Sequence, residues 1–121
     1  MTTKKTLVIG ASTNPERYAY KATVMLSEYN HPVIPYGIQK GEIEGHVIVH
    51  ELPHADIDTV TLYIGKQKQN KAFEDYILRL KPKRVIFNPG TENEMFEQKL
   101  LENGIQPIEA CTLVMLRTGQ F

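Results

Sequence analysis

The feature that most constrains this chain is a unit it uses again and again: a short β-branched run, a turn, then apolar residues at helical spacing. Thr6-Leu7-Val8-Ile9 closes at Gly10 and, after a polar loop, Ala19, Ala22, Leu26 and Tyr29 recur at helical intervals. Asn30 reads as a left-handed cap and Pro32 as a stop. Val33-Ile34 begins a second strand that runs into Pro35-Tyr36-Gly37, Val47-Ile48-Val49 suggests a shorter third, and Val60-Thr61-Leu62-Tyr63-Ile64 is the longest, closed by Gly65. Ala72, Phe73, Tyr76, Ile77 and Leu80 form the next helical stripe, followed by the strand Val85-Ile86-Phe87 and the turn Asn88-Pro89-Gly90. Thr91-x-x-Glu94 reads as a capping box opening a helix with Phe96, Leu100 and Leu101 inward. Gly104 ends that helix, and Pro107-Ile108-Glu109-Ala110 leads a last strand into a C-terminal turn of helix.

Strands alternating with helices predict a parallel sheet covered by helices on both faces, and unbroken apolar runs suit strands buried on both sides. An eight-unit barrel needs roughly 200 residues or more, and the chain has 121. The expected fold is α/β: a doubly wound, mostly parallel, Rossmann-like sheet of about five strands in three layers. Residues 1–121 are expected to form a single domain, leaving no room for a separate catalytic one.

Fourteen Lys plus Arg balance 14 Asp plus Glu, which argues against a nucleic-acid binder held mainly by phosphate attraction. The balance conceals an uneven distribution. Glu42 to Asp58 holds five acids and no Lys or Arg, Lys66 to Arg84 holds seven bases against Glu74 and Asp75, and acids dominate again from Glu92 to Glu109. No apolar run approaches the roughly 20 residues of a membrane helix, and Met1-Thr2-Thr3-Lys4-Lys5 opens no cleavage pattern. The single cysteine, Cys111, makes neither an internal disulfide nor a Cys-based zinc site. A cytoplasmic protein without nucleic-acid or membrane partners is expected, with a protein partner or homodimer left open.

In doubly wound sheets ligands bind beyond the carboxyl ends of the strands, near the point where strand order reverses. The turns to inspect are therefore Gly10 to Tyr18, Pro35 to Lys40, Gly65 to Lys68 and Asn88 to Glu92. In the first, Gly10 allows a tight turn, the helix start offers N–H groups to a phosphate, and Ser12, Thr13 and Asn14 add polar side chains. The dinucleotide fingerprint G-x-G-x-x-G is absent, since Ser12 replaces its second glycine and Pro15 its third. The second strand also lacks the acid that NAD-binding folds place at its end to hold the ribose. Pro35 and Tyr36 offer an adenine an apolar surface, and Lys40 follows as a cation for a ribose phosphate. These turns disfavour NAD and favour a small-molecule nucleotide ligand with an extra phosphate and a long neutral arm.

Val8-Ile9-Gly10-Ala11-Ser12 with Asn14-Pro15 and Arg17, then Pro32-Val33-Ile34-Pro35 and Gly45, then Asp58-Thr59-Val60, Leu62-Tyr63-Ile64, Asn88-Pro89-Gly90 and Cys111 follow one another in the order of a known family. Over roughly Leu7 to Leu116 the chain resembles the small CoA-binding domain proteins, whose domain also forms the nucleotide-binding part of succinyl-CoA synthetase α chains. The resemblance implies coenzyme A or an acyl-CoA as cofactor. Gly10, Ala11, Ser12 and Asn14 would face its pyrophosphate with Arg17 as a nearby cation, and Pro35 and Tyr36 would border the adenosine. Ile64, Gly65 and Lys66 would lie along the ligand, and Pro89, Gly90 and Thr91 near the pantetheine end. The chain departs from the family in Pro35-Tyr36-Gly37-Ile38, where members often carry Pro-Val-Asn-Pro, and in Phe87-Asn88, where many have Trp or Gln.

Catalytic signatures are weak. His46, His50 and His54 recur every four residues, but Val47-Ile48-Val49 and Pro53 read as strand and turn, so no helical face gathers them for a metal. His31 reads as a surface residue at a helix end, and Cys111, near the expected end of the pantetheine, reads as packing. The expectation is a protein that binds CoA or an acyl-CoA at the carboxyl edge of its sheet, with no catalytic or metal-binding residue assigned. Two alternatives stand beside it: an enzyme performing acyl transfer or a redox step on a CoA- or nucleotide-linked substrate, and a scaffold subunit that has lost its ligand.

Overall fold

The computed structural model describes residues 2–121. Five parallel strands, β1 (Thr6–Ile9), β2 (Val33–Tyr36), β5 (Thr59–Leu62), β6 (Arg84–Phe87) and β7 (Gln106–Glu109), form one sheet in the order β2-β1-β5-β6-β7. The chain leaves β1 toward β2 on one side and returns to β5 on the other, so strand order reverses between β1 and β5 and opens a crevice at their carboxyl ends. The three central strands are buried along their whole length, while the edge strands β2 and β7 are only partly covered. That difference explains why the central runs are unbroken apolar or Thr-rich and why Pro35 and Pro107, which lack an N–H, fall on the edges.

The sheet register gives its two faces different chemistry. Leu7 and Ile9, Val60 and Leu62, Val85 and Phe87 line up on one face, beneath Tyr76, Ile77 and Leu80 of α2 (Lys71–Leu80) and Phe96 and Leu100 of α3 (Glu94–Glu102). On the other, Thr6, Thr59 and Arg84 are neighbours, as are Val8, Thr61 and Ile86, beneath α1 (Tyr18–Glu28) and α4 (Thr112–Arg117). The first face is a plain hydrophobic layer, each fully buried Leu, Ile or Phe contributing about 1.5–3 kcal/mol. The second carries buried hydroxyls that need partners.

The structure corrects several local expectations. Val47-Ile48-Val49 adds no strand to the main sheet. Glu44 and Gly45, both at positive φ, form a two-residue turn that pairs β3 (Glu42–Ile43) with β4 (His46–Val47) in a small antiparallel hairpin. Ile43 and Ile48 tuck beneath Tyr20 and Val24 of α1, and Val49 makes a single bridge to Tyr36 on the sheet edge. Tyr29 follows the end of α1 and is 43% exposed, and Leu101, one residue round the helix from buried Leu100, is 58% exposed. The third helix is capped by Asn93, which accepts from Phe96 N while Glu97 accepts from Asn93 N, two residues beyond the Thr91 expected. Asn30 does take the left-handed conformation and ends α1, as Gly104 does after α3. His31 is half-buried: its Nδ1 accepts from Lys4 N and its ring rests against Phe121.

Candidate functional site

The carboxyl ends of β1 and β2 are bound into one unit. Gly10 N and Ala11 N both donate to the carbonyl of Tyr36, at 3.0 and 2.9 Å. Gly10 has φ +96°, and a Cβ there would press on the Tyr63 carbonyl. Gly37 packs closer still, since a Cβ on it would lie 2.4 Å from Ala11 O. The N–H groups of Gly10 and Ala11 are therefore committed within the sheet and shape the turn, and the donors left to a ligand lie further along. Asn14 builds the approach to the helix: its N donates to Ser12 Oγ, its side chain accepts from Glu16 N and its carbonyl from Arg17 N. The N-cap of α1 is Arg17, whose side chain cannot accept, and the first turn holds no acid. The leading N–H groups of α1 and the positive end of its dipole are thereby left to an anion.

The opposite wall hangs on two buried amides. Asn88 donates from Nδ2 to Thr61 Oγ1 and Leu62 O and accepts Thr112 N on Oδ1, tying β5, β6 and α4 together immediately before Pro89-Gly90. Gln69 donates from Nε2 to Ile64 O and Thr91 O and accepts from Asn93 Nδ2, joining the turn after β5 to the turn after β6. Thr91 spends its hydroxyl on Asn88 O, and Gly90 N donates to Glu92. Tyr63 borders the cleft and packs against the layer under α1 and α4. Burial pushes its phenol up to about 12, and its oxygen, near the bonded Thr61 and Thr112 hydroxyls, has no hydrogen-bond partner among the described residues.

Between these walls runs a cleft of about 960 Å³ along the carboxyl ends of β1, β2, β5 and β6, near the upper end for small-molecule sites. Of the residues singled out from the sequence, Gly10, Ala11, Ser12, Arg17, Tyr36, Ile64, Gly65, Pro89, Gly90 and Thr91 line it. Asn14, Pro35, Lys40 and Lys66 do not: Asn14 shapes the helix start, Pro35 is buried in β2, and both lysines point to solvent. Lys66 opens a 3₁₀ turn that ends at Lys68. Two residues of such a turn rotate the side chain by about 240°, so Lys68 faces the cleft instead. Tyr18, Ile38, Gln39 and Gln67 lie in the turns marked from the sequence but were not assigned to the site, and Leu52, Asn70 and Phe73 on its wall were missed. Cys111 is not on the wall and forms the N-cap of α4.

The charge on the wall has one sign. Arg17 and Lys68 line the cleft, no Asp or Glu does, and neither cation forms an ion pair among the described residues. Two exposed apolar side chains also line the cleft, Ile38 at 95% and Tyr18 at 65% exposure. The histidines serve locally: His46 meets Ser27 Oγ, and His50 meets Gly37 O. Among the described residues no three His, Cys, Asp or Glu gather as metal ligands would, and no helix is long and apolar enough to cross a membrane.

Comparison with known proteins shows the same fold. A solved structure of an uncharacterized protein is 53% identical over 100% of both chains, with a TM-score of 0.95. A Thermus thermophilus protein is 26% identical over 98% of this chain and 91% of its own, at a TM-score of 0.80. A conserved hypothetical protein from Pyrococcus furiosus is 25% identical over 92% and 97%, at 0.77. No curated protein matches the chain. The CoA binding domain family matches residues 4–117, nearly the whole sequence, and the chain belongs to that family.

Proposed function

We propose that this protein binds coenzyme A or an acyl-CoA in the cleft at the carboxyl edge of its sheet. The observation that carries the reading is the one-signed wall: Arg17 and Lys68, with no carboxylate, in a chain whose charges balance. Cations lining a partly enclosed cleft select and retain an anionic ligand. Family membership supports CoA as that anion. In this reading the diphosphate rests against Ser12 and the start of α1 beside Arg17. The adenosine lies by Tyr36 and Ile38, with Lys40 in reach of the ribose phosphate. The neutral pantetheine arm runs past Ile64, Gly65 and Phe73 toward Pro89, Gly90 and Thr91. The carboxyl end of β2 presents Tyr36 and Gly37 where an NAD site presents an acid, which argues for CoA over NAD. No side chain is assigned a chemical step. The same reading assigns the protein to the cytoplasm and leaves open a partner, or a second copy, that exchanges the acyl group.

Calorimetry with CoA, dephospho-CoA, NAD and NADP tests it. CoA should bind most tightly, dephospho-CoA more weakly, and NAD least; NAD binding tighter than CoA would overturn the reading. Ser12→Arg, which fills the diphosphate position, should abolish CoA binding while the melting temperature holds.

A further inference from the structure

Gln39 occupies an unusual place. Its carboxamide oxygen receives Thr13 N at 3.1 Å, Ser12 Oγ at 3.3 Å and Thr13 Oγ1 at 3.4 Å. Thr13 N can only donate, so the atom it meets is the oxygen. A neutral amide oxygen has two lone pairs and here faces three donors at long range. An anionic oxygen takes nitrogen donors at about 2.7–2.9 Å and hydroxyl donors at about 2.5–2.7 Å, and binds them about twice as strongly. The constellation therefore fits a phosphoryl oxygen better than the group it holds.

The contact is also held from both sides. Gly37 packs against Ala11 O and Gly41 against Thr13 Cγ2, so closely that a Cβ on either would lie 2.4 and 2.7 Å from those atoms. The segment carrying Gln39 is thus pinned to the first turn at each end, with the side chain between the pins. Gln39 itself lines the cleft.

We infer that Gln39 is an internal competitor of the ligand: its carboxamide oxygen holds the Ser12–Thr13 donors, and an anionic ligand binds by taking them over. The inference rests on the CoA reading above and adds to it the residue that sets how readily the anion enters. A group that fills the position reduces apparent affinity by the fraction of molecules in which it has let go. Removing it raises affinity, and replacing it with a carboxylate, which holds the same donors more firmly and repels phosphate, lowers it.

Two measurements decide it. In the free protein, exchange of the Thr13 amide hydrogen should quicken in Gln39→Ala; unchanged exchange would overturn the inference. In calorimetry with CoA and with inorganic pyrophosphate, Gln39→Ala should bind about three- to tenfold more tightly than wild type, and Gln39→Glu at least tenfold more weakly. Equal or weaker binding by Gln39→Ala would mean that the amide helps the ligand or is idle, and would overturn the inference. Failure of CoA to bind any of the three proteins would refute the proposed function instead, and the ranking with pyrophosphate would then decide the competition.

Discussion

The two ends of the sheet use the same kinds of residue to opposite purposes. At the amino end Arg84 begins β6 and is buried to 9% exposure. Its Nε donates to Thr59 Oγ1 at 2.8 Å, and its guanidinium lies 4.3 Å from the centre of the Phe121 ring. The same ring stands 4.8 Å from His31, and the Lys4 ammonium bonds the Phe121 carbonyl. There the chain covers its own cations with its last aromatic residue. At the carboxyl end Arg17 and Lys68 have no aromatic cover or acid partner among the described residues and stand on the wall of an open cleft. Arg84 finds one hydroxyl and one aromatic face within the fold, and its Nη2 finds no partner among the described residues, whereas cations left on a concave wall are free for a ligand. The contrast separates a structural end from a binding end.

The largest effect expected from breaking the contrast is at the amino end. Phe121→Ala should cost about 3 kcal/mol in urea unfolding, from lost burial and an uncovered Arg84, with CoA affinity unchanged. Asn88→Ala should cost about 2 kcal/mol, since Leu62 O and Thr112 N lose their partner, and should also weaken CoA binding because the Pro89–Thr91 wall loosens. A smaller effect discriminates between neighbours. Lys68→Ala should reduce CoA affinity about threefold at low salt while Lys66→Ala leaves it unchanged, a difference read by calorimetry. The smallest is a pH effect. Burial, with Lys4 and Arg84 nearby, holds the His31 imidazole below its ordinary 6.5. The folded state then favours the neutral ring, so this stability is fully present above pH 6.5 and is lost as pH falls through the lowered value. Melting temperature followed from pH 7.5 to 5 should fall more in wild type than in His31→Gln.

The architecture was legible because each element announces itself locally: β-branched runs, Asn30 and Gly104 as stops, and helical stripes between. The misreadings share a cause. Thr91 carries a capping signature as good as that of Asn93, but its hydroxyl is taken by Asn88 O. Leu101 matches Leu100 in type and differs only in its angle round α3. The turns of the cleft could be located from strand ends, yet the side chains that brace them could not. Apart from the local bond of Gln69 to Ile64, Gln69 and Asn88 act across 22 to 27 residues of sequence, and Gln39 across 26 and 27. Nothing adjacent in the chain marks a glutamine as a clamp. Phe121 is farther still from its partners, and only the folded sheet brings it beside Lys4.

On the proposed function, the carboxyl end of the sheet takes the ligand and the amino end does not. Titrating isotope-labelled protein with CoA and following backbone amide resonances tests it most directly. Resonances of Ser12, Thr13, Ala19, Gly65 and Gly90 should shift, less so in Arg17→Ala, with His31, Arg84 and Phe121 unmoved. Shifts centred on His31, Arg84 and Phe121, or none at saturating CoA, would contradict it.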